Sequence, residues 1–395
     1  MPEVNIRQIE TDEEILYDFM SLTNYAFRPT PPTINDEERS EMLPTGRERR
    51  IVVAYEDGQP RATAAALDMT QNVRGKIYGM GGISPVATHP MGRRQGYARQ
   101  SLVTLFGIMR EAGHVFTGLH PFRESFYERL GYVTFPRIQR VDFDTANLGK
   151  LLKMNIPGDV QFQRIKAGYE AIFAPFLQRM QAQTHGMSLK GGLNARLLMD
   201  KDEFWLASVQ FDGVVEGVML YQIKGFGGEF DVSRFLTLSS RARYALLAYI
   251  ARHIDHTKVV TMRLRHEERP QTWLSDMLPR ANPDIWLTPM GRVLDVAQVG
   301  GMQVGEGAFT ARITDAQCEW NNGTWSFVSE GGTLHVAPAE DAEVDLTIQG
   351  LGALLYGTHD PHDFVFRGWG DPSPELIARL ETMFPRQNPY MFEPY

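Results

Sequence analysis

The sequence predicts an α+β protein in which mixed central sheets are flanked by helices. Its 395 residues exceed one ordinary domain, so two or three domains are expected. Residues 1–150 predict several strands followed by alternating helices and strands, and residues 151–290 repeat that order. Residues 291–395 change character, because short alternating strands are separated there by glycine and aspartate turns.

Composition limits the classes of function. Hydrophobic residues make up 43% and charged residues 22%, as is typical of soluble globular proteins. The net charge of −8 disfavours a nucleic-acid partner and favours a cationic substrate. No secretory segment is visible, and no apolar run approaches the ~18 residues of a membrane span. With one cysteine, Cys318, no intramolecular disulfide is possible, so we expect a cytoplasmic protein without a membrane partner.

A glycine-containing turn at residues 90–98 is the most informative local feature. It lies between an apolar strand and an amphipathic helix predicted over residues 102–109. Such a turn leaves several N–H groups unpaired at the positive end of the helix dipole, an arrangement that binds phosphate. Arg93, Arg94 and Arg99 oppose that dipole, which favours an anionic partner over a solvated basic cluster. The spacing matches neither of the two common Gly-rich phosphate motifs.

Two motifs resemble those of the GNAT N-acetyltransferase superfamily. Arg93, Gly96 and Ala98 fit Arg/Gln-x-x-Gly-x-Gly/Ala, the turn that binds the pyrophosphate of acetyl-CoA in that family. Residues 127–132, Tyr-Glu-Arg-Leu-Gly-Tyr, fit the later Tyr-x-Arg-x-Gly-Phe/Tyr motif and follow an apolar strand. Without this resemblance, Tyr127 would be interpreted as a core aromatic residue at helical spacing.

The second unit predicts a copy of the same fold without the cofactor site. Strands at residues 203–211 and 214–223 flank Asp212-Gly213, as strands at 50–55 and 61–69 flank Asp57-Gly58. The turn before the next helix, residues 239–244, has no glycine, so its backbone cannot easily admit a pyrophosphate. An accidental repeat of common strand–helix alternation is the alternative.

The last unit resembles a sterol-carrier-type α/β domain. Strands are expected at residues 293–296, 307–313, 324–328 and 344–348, with helices at 350–356 and 374–383. Cys318 is expected to be a small buried residue in an alternating strand. The tail from residue 384 contains three prolines and several aromatic residues, which predicts an extended and buried segment.

Together, the tandem GNAT-like units, the sterol-carrier-like unit and the aromatic end resemble the Eis (enhanced intracellular survival) family over essentially the full length. The resemblance implies domains at residues 1–150, 151–290 and 291–395, and a homo-oligomer, namely a hexamer. It also implies acetyl transfer from acetyl-CoA to amines, including amines of aminoglycosides.

Residue roles follow from that resemblance by position. Tyr127 would be the proton donor and the α-carboxylate of Tyr395 the proton acceptor. Phe27 and Glu393 would line the amine pocket, although Pro394 stands where family members can carry an acidic residue. The implied cofactor contacts are Val86, Ala87, Thr88, Arg93, Arg94, Gln95, Gly96, Tyr97, Ala98, Arg99, Phe122 and Arg123.

Three functions stay open on the sequence. The leading one is an acetyl-CoA-dependent N-acetyltransferase acting on small cationic amines. The acceptor is alternatively a protein lysine, or the chain is a non-catalytic lipid-binding or scaffolding protein. The retained glycine turn and Tyr127 favour an enzyme. No metal is expected, because the His253/His256 and His359/His362 pairs each offer only two ligands.

Overall fold

The computed structural model describes residues 3–31, 35–282 and 288–393. Its strands are β1 (Val4–Ile9), β2 (Arg49–Glu56), β3 (Gln59–Val73), β4 (Lys76–Thr88), β5 (Phe116–Leu119), β6 (Val133–Thr134), β7 (Gln139–Asp144), β8 (Val160–Arg164), β9 (Ser188–Lys190), β10 (Trp205–Phe211), β11 (Val214–Ile223), β12 (Glu229–Thr237), β13 (Val259–Leu264), β14 (Arg280–Asn282), β15 (Met290–Val293), β16 (Ala308–Thr314), β17 (Gly323–Glu330), β18 (Thr333–Pro338) and β19 (Val344–Thr347).

Helices flank these strands. The α-helices are α1 (Met20–Phe27), α2 (Asp36–Arg47), α3 (Tyr97–Glu111), α4 (Glu124–Glu128), α5 (Ile165–Gly168), α6 (Ala174–Gln183), α7 (Gly192–Lys201), α8 (Ser240–Ala251), α9 (Ile348–Tyr356), α10 (Phe364–Arg367) and α11 (Pro374–Met383). Short 3-10 or π turns add Glu14–Phe19, Pro90–Gly92, Thr145–Lys153, Tyr169–Phe173, Pro270–Thr272, Val296–Gln298, Glu319–Asn321 and Pro361–Asp363. Within the described residues, no helix combines the length and apolar composition needed to cross a bilayer.

The chain forms two compact units. The first contains Met1–Phe135, Thr184–Ala195 and Thr288–Tyr395, and the second contains Pro136–Gln183 and Arg196–Leu287. The N-terminal and C-terminal parts of the sequence thus share one unit. The division into three domains at residues 150 and 290 stays a prediction.

The main sheet of the first unit has the strand order β1-β2-β3-β4-β5-β15-β6, and β9 pairs with the far half of β3. β1 to β4 are antiparallel neighbours, whereas β5 lies parallel to β4. The predicted hairpin between β2 and β3 is confirmed, because Asp57 and Gly58 both have positive φ, as a tight hairpin turn requires. α3 packs on this sheet through Leu102, Leu105, Phe106 and Met109, which are fully buried at helical spacing.

β15 comes from the C-terminal region of the sequence and is a strand of this sheet. The sequence predicted a strand at residues 293–296, but the strand spans Met290–Val293 and lies between β5 and β6, antiparallel to both. Its place depends on contacts with residues more than 150 positions earlier, which local sequence patterns do not specify.

The C-terminal sheet of the first unit has the order β18-β17-β16-β19, with α9 and α11 packed beside it. Its core is continuous with that of the main sheet, since Phe116 and Tyr356 belong to the same buried cluster as Phe309. Cys318 is buried as expected, but it lies in a turn and not in a strand. The described part of the tail, residues 384–393, is neither helix nor strand, and Met391 and Phe392 are buried, as predicted. The extended path of the tail stays a prediction.

The second unit repeats the arrangement of the first main sheet. Its strand order is β14-β7-β13-β12-β11-β10-β8, with the parallel pair between β12 and β13. β7 lies between β13 and β14 and is antiparallel to both, the place that β15 holds in the first sheet. Asp212 and Gly213 again form a positive-φ turn between β10 and β11. The expected mixed α+β fold with a repeated sheet is confirmed.

Candidate active site

β4 and β5 diverge in the middle of the first sheet. β5 pairs only with residues 80–82 of β4, while β4 continues to Thr88 along β3. A register irregularity on β3 between Ala64 and Ala66 marks a bulge in this pairing. Val86, Ala87 and Thr88 therefore lie on a stretch of β4 that has no strand partner on the β5 side among the described residues. Backbone groups on that edge are free to bind an extended ligand.

The turn after β4 leaves the first N–H groups of α3 available to bind an anion. Gly96 occupies the position before the helix with φ +86, a left-handed conformation that glycine adopts without steric cost. No described side chain caps this helix, and its first turn contains no acidic residue. The first N–H groups, from Tyr97, Ala98 and Arg99, therefore have the geometry of an anion-binding helix start.

The polar side chains of the turn differ in their partners. Arg93 and Arg94 are exposed, and neither guanidinium has an ion pair among the described residues. Arg99 is also exposed and donates from Nε to Oε1 of Gln317 at 3.0 Å. The Gln95 amide donates to the Met91 carbonyl at 3.2 Å. The buried Tyr97 packs with Ala54 and Ala62, and its hydroxyl donates to Glu56 at 2.6 Å.

Tyr127 lies on α4 within a cluster of aromatic rings. It is 4% exposed, and its ring centroid lies 5.8 Å from that of Phe122 and 5.8 Å from that of Tyr132. Tyr127 shares one buried cluster with Ile83 and Leu119, the residues next to the point where β4 and β5 diverge. Burial raises the pKa of Tyr127 well above its usual value, so the phenol keeps its proton at neutral pH.

Two of the four residues between β5 and α4 are exposed, namely Phe122 and Arg123. Phe122 is 67% exposed while its ring contacts the Tyr127 ring edge-on, and Arg123 is also exposed. The structure thus brings Phe122 and Tyr127 together.

α1 lies beside the end of β4. Tyr25 on α1 packs near His89, directly after β4, with 6.3 Å between ring centroids. Phe27, the last residue of α1, is 63% exposed. Its predicted role in an amine pocket stays a prediction.

Two polar residues near the tail were not found from the sequence. Lys190, at the end of β9, lies 3.7 Å from the carboxylate of Glu393, so Glu393 has a cationic partner within the chain. His120 follows β5, and burial together with the charge of Lys190 lowers the pKa of His120 to about 4. The imidazole is therefore neutral at pH 7. The position of His120 after an apolar strand was a usable signal, whereas nothing local marks Lys190. Tyr395, the predicted proton acceptor, and Pro394 lie outside the described residues.

One group of potential metal ligands lies elsewhere in the first unit. Ligand atoms of Asp360, His362 and Glu381 fall within 4.8 Å of one another. Asp360 already accepts a hydrogen bond from the His362 backbone N–H at 3.0 Å and lies 3.7 Å from Arg386. The expectation of no metal stays untested.

Family models match two parts of the chain. Residues 5–135, which contain the divergent strands, the glycine turn and Tyr127, match the acetyltransferase (GNAT) domain. This part of the chain is a GNAT acetyltransferase domain. Residues 297–392 match the sterol carrier protein domain, as the sequence predicted. A search among curated protein sequences gave no significant match.

Solved structures share the whole architecture of this acetyltransferase. A probable N-acyltransferase from Enterococcus faecalis is 18% identical with a TM-score of 0.86, covering 100% of both chains. A GCN5-related N-acetyltransferase from Kribbella flavida is 19% identical with a TM-score of 0.81, covering 99% of this chain and 100% of that chain. Eis1 from Mycobacterium abscessus is 15% identical with a TM-score of 0.75, again covering 99% and 100%. At these identities the likeness concerns the fold alone.

Proposed function

We propose that the protein transfers the acetyl group of acetyl-CoA to a primary amine of a small polycationic substrate, with aminoglycosides as the leading acceptors. The observation that carries this proposal is the stretch of β4 that continues beyond its pairing with β5. That stretch leads to the start of α3, which no described side chain caps, and the buried Tyr127 shares a cluster with residues next to the point of divergence. The start of α3 suits an anion, and Tyr127 offers a proton donor.

The binding roles follow from the groups available. The N–H groups at the start of α3 would hold the pyrophosphate, with Arg93, Arg94 and Arg99 adding positive charge. Free backbone groups at Val86, Ala87 and Thr88 would pair with the amide-containing arm of the cosubstrate, as an added strand does. Phe122 and Arg123 are exposed, and Phe122 contacts the Tyr127 ring, so these two residues would cover the cosubstrate.

The chemical roles divide between an acid and a base. Acetyl-CoA supplies an acyl group already activated as a thioester. Tyr127 would donate its proton to the departing thiolate, since burial keeps the phenol protonated. The α-carboxylate of Tyr395 would accept the proton of the amine, directly or through water. A carboxylate with a reference pKa of about 3.5 is a weak base unless it is desolvated.

The described tail supports a chain end near this site. Near its end, Met391 and Phe392 are buried, and the last described residue, Glu393, pairs with Lys190, whose charge acts on His120 after β5. Because Glu393 is paired in this way, the net charge of −8 is the stronger argument for a cationic acceptor. Phe27 would form a wall of the amine pocket. A homohexamer and a cytoplasmic location belong to the same proposal.

Thiol release from acetyl-CoA, measured against a panel of aminoglycosides, polyamines and lysine peptides, tests the proposal. We expect release with aminoglycosides, and a product mass increased by one or more acetyl groups. Release with lysine peptides alone would instead support a protein acetyltransferase. No release with any amine would overturn the proposed function.

The base is tested by a separate variant. One or two glycines added after Tyr395 displace the α-carboxylate and leave every described residue in place. We expect turnover to fall while acetyl-CoA binding persists. Unchanged turnover would exclude the terminal carboxylate and direct attention to the neutral imidazole of His120.

A further inference from the structure

The short helix that carries Tyr127 is held by residues of the C-terminal region. α4 has five residues, too few to be stable through its own hydrogen bonds. Gln349 donates from Nε2 to the Glu128 carbonyl at 2.8 Å, and Arg367 donates from Nη1 to the Glu128 carboxylate at 3.1 Å. The position of Tyr127 therefore depends on contacts outside the helix.

Arg292, on β15, supplies the most deeply buried of these contacts. Its side chain is 0% exposed, and its Nη1 donates to the Leu130 carbonyl at 2.5 Å. Nη2 donates to Asp315 at 2.6 Å and to the Cys318 sulfur at 2.8 Å. The guanidinium also lies 4.8 Å from the ring centroid of Phe106 on α3. One side chain thus joins the turn after α4 to the C-terminal region.

Asp315 is fixed independently of Arg292. It accepts hydrogen bonds from the Asn321 amide at 2.9 Å and from the Gln317 backbone N–H at 3.0 Å. An unpaired charge in this position would be costly, so Asp315 holds the guanidinium in one orientation. The fork of Arg292 then directs its other nitrogen at the Leu130 carbonyl.

The backbone around Tyr127 fits closely around this guanidinium. Gly131 has φ +94, and a Cβ atom there would lie 1.6 Å from Nη1 of Arg292. The N–H groups of Leu130 and Tyr132 both donate to the Tyr127 carbonyl, at 2.8 and 3.2 Å. The glycine of the Tyr-x-Arg-x-Gly-Tyr motif therefore makes room for Arg292.

We propose that Arg292 is a positioning residue that fixes the 127–132 turn and so aims the Tyr127 phenol for proton donation. The role rests on the proposed acetyl transfer with Tyr127 as acid. Under it, the C-terminal region is a working part of the acetyltransferase, because it carries β15 and the Asp315 that orients Arg292.

A double-mutant cycle of Arg292→Lys and Tyr127→Phe tests the role. The lysine keeps the charge, but a single ammonium cannot reproduce the two-pronged contact. We expect Arg292→Lys to lower kcat about tenfold or more with little change in the KM for acetyl-CoA, because small displacements of a reacting group cost large factors. In the Tyr127→Phe background, the same substitution should change kcat less than about twofold. An equal loss in both backgrounds, or no loss in either, would overturn the role.

Cys318 provides a check that the core stays intact. It is the single cysteine of the chain and is buried, so a thiol reagent reports whether the network has opened. If Arg292→Lys makes Cys318 reactive, the surface variant Arg367→Gln replaces it in the cycle, with an expected loss of about two- to threefold in kcat. Arg379→Gln is its matched control, because Arg379 pairs with Glu343 at 2.9 Å with similar exposure and forms no ion pair with α4 among the described residues.

The outcomes separate the two proposals. An inactive wild type, or full activity of Tyr127→Phe, would overturn the proposed chemistry and this role with it. An active wild type that depends on Tyr127 but not on Arg292 or Arg367 would overturn the positioning role alone. Hydrogen exchange of residues 124–135 gives a readout without turnover, and we expect faster exchange there in Arg292→Lys.

Discussion

The junction between β4 and α3 and the junction between β12 and α8 share a topology but differ in chemistry. In both, the first strand runs past its parallel neighbour, since β13 pairs only with residues 229–232 of β12. In the first junction Gly96 precedes the helix in a left-handed conformation, and no side chain of the described residues caps the helix. In the second, Ser239 has φ −147 and its hydroxyl accepts from the Ala242 N–H at 3.2 Å.

The two junctions also differ in their charged side chains. Glu216 accepts a hydrogen bond from the Ser239 hydroxyl at 2.5 Å and pairs with Arg241, which donates from Nε at 2.9 Å. The second helix start is thus occupied by the chain's own side chains, whereas the first is free for an external anion. The two helix starts therefore differ in their side-chain hydrogen bonds without a change of topology.

The largest expected effect concerns chemistry that the first unit alone is proposed to perform. Tyr127→Phe keeps the ring contacts but removes the proton donor, so we expect kcat to fall about 100-fold or more. The KM for acetyl-CoA should change little, because the β4–α3 junction is intact. Steady-state kinetics measure both constants, and undiminished kcat would show that Tyr127 is not the acid.

The next effect is on stability and compares two left-handed glycines. Gly131→Ala places a Cβ against the buried Arg292, so we expect a loss of about 3 kcal/mol or more in the free energy of unfolding. Gly96→Ala meets only the Gln100 amide at 3.5 Å, and it should cost about 1–2 kcal/mol from backbone strain. Denaturant titration compares the two, and equal losses would contradict the close fit around Arg292.

A smaller effect is expected when Gly96 of the first junction is replaced by serine, the residue that precedes the helix in the second junction. Gly96→Ser strains the turn and offers a hydroxyl to the free N–H groups, so we expect the KM for acetyl-CoA to rise about tenfold, or about 1.4 kcal/mol. Ser239→Gly is the matched change in the second unit. It should leave that KM unchanged and cost only a few tenths of a kcal/mol in stability. A rise in KM for Ser239→Gly would show that the second junction also binds the cosubstrate.

The smallest effect is a pH dependence in the second junction. Hydrogen bonds from Arg241 and Ser239 lower the pKa of Glu216 to about 2. Because the folded pKa lies below the unfolded value, Glu216 stabilises the fold above pH 4.5 and loses that contribution as the pH falls toward 2. We expect Glu216→Gln to lower Tm by a few degrees at pH 7 and by less at pH 3. A difference in Tm that does not shrink with pH would contradict this pairing.

Much of the fold was predictable because its signals are local. Asp57-Gly58 and Asp212-Gly213 fix two hairpins by backbone preference, and the periodicity of α3 and the span of α11 follow from neighbouring residues. The pairing of β15 with β5 and β6 was not predictable, since it joins residues far apart in the chain. β9, with three residues, is too short to carry a pattern.

The residues of the candidate site also fall into two groups, those with a local sequence signal and those without one. The glycine turn and Tyr127 form local motifs, so they were found from the sequence, and their roles stay predictions. Lys190 and Arg292 reach their places only through tertiary pairing, on β9 and β15. An arginine in a short apolar strand gives no sign that it will be buried against Asp315.

The place of β15 has a consequence for synthesis on the ribosome. The gap between β5 and β6 is filled by a strand that begins about 150 residues after β6 ends. At roughly 5–20 residues per second, that gap stays open for about 10–30 s. β7, which follows β6 directly, emerges first and has the antiparallel pairing that the gap accepts, although it ends in the other sheet. The nascent acetyltransferase domain therefore passes through a period with unpaired strand edges. During that period it is most prone to aggregation and most dependent on chaperones.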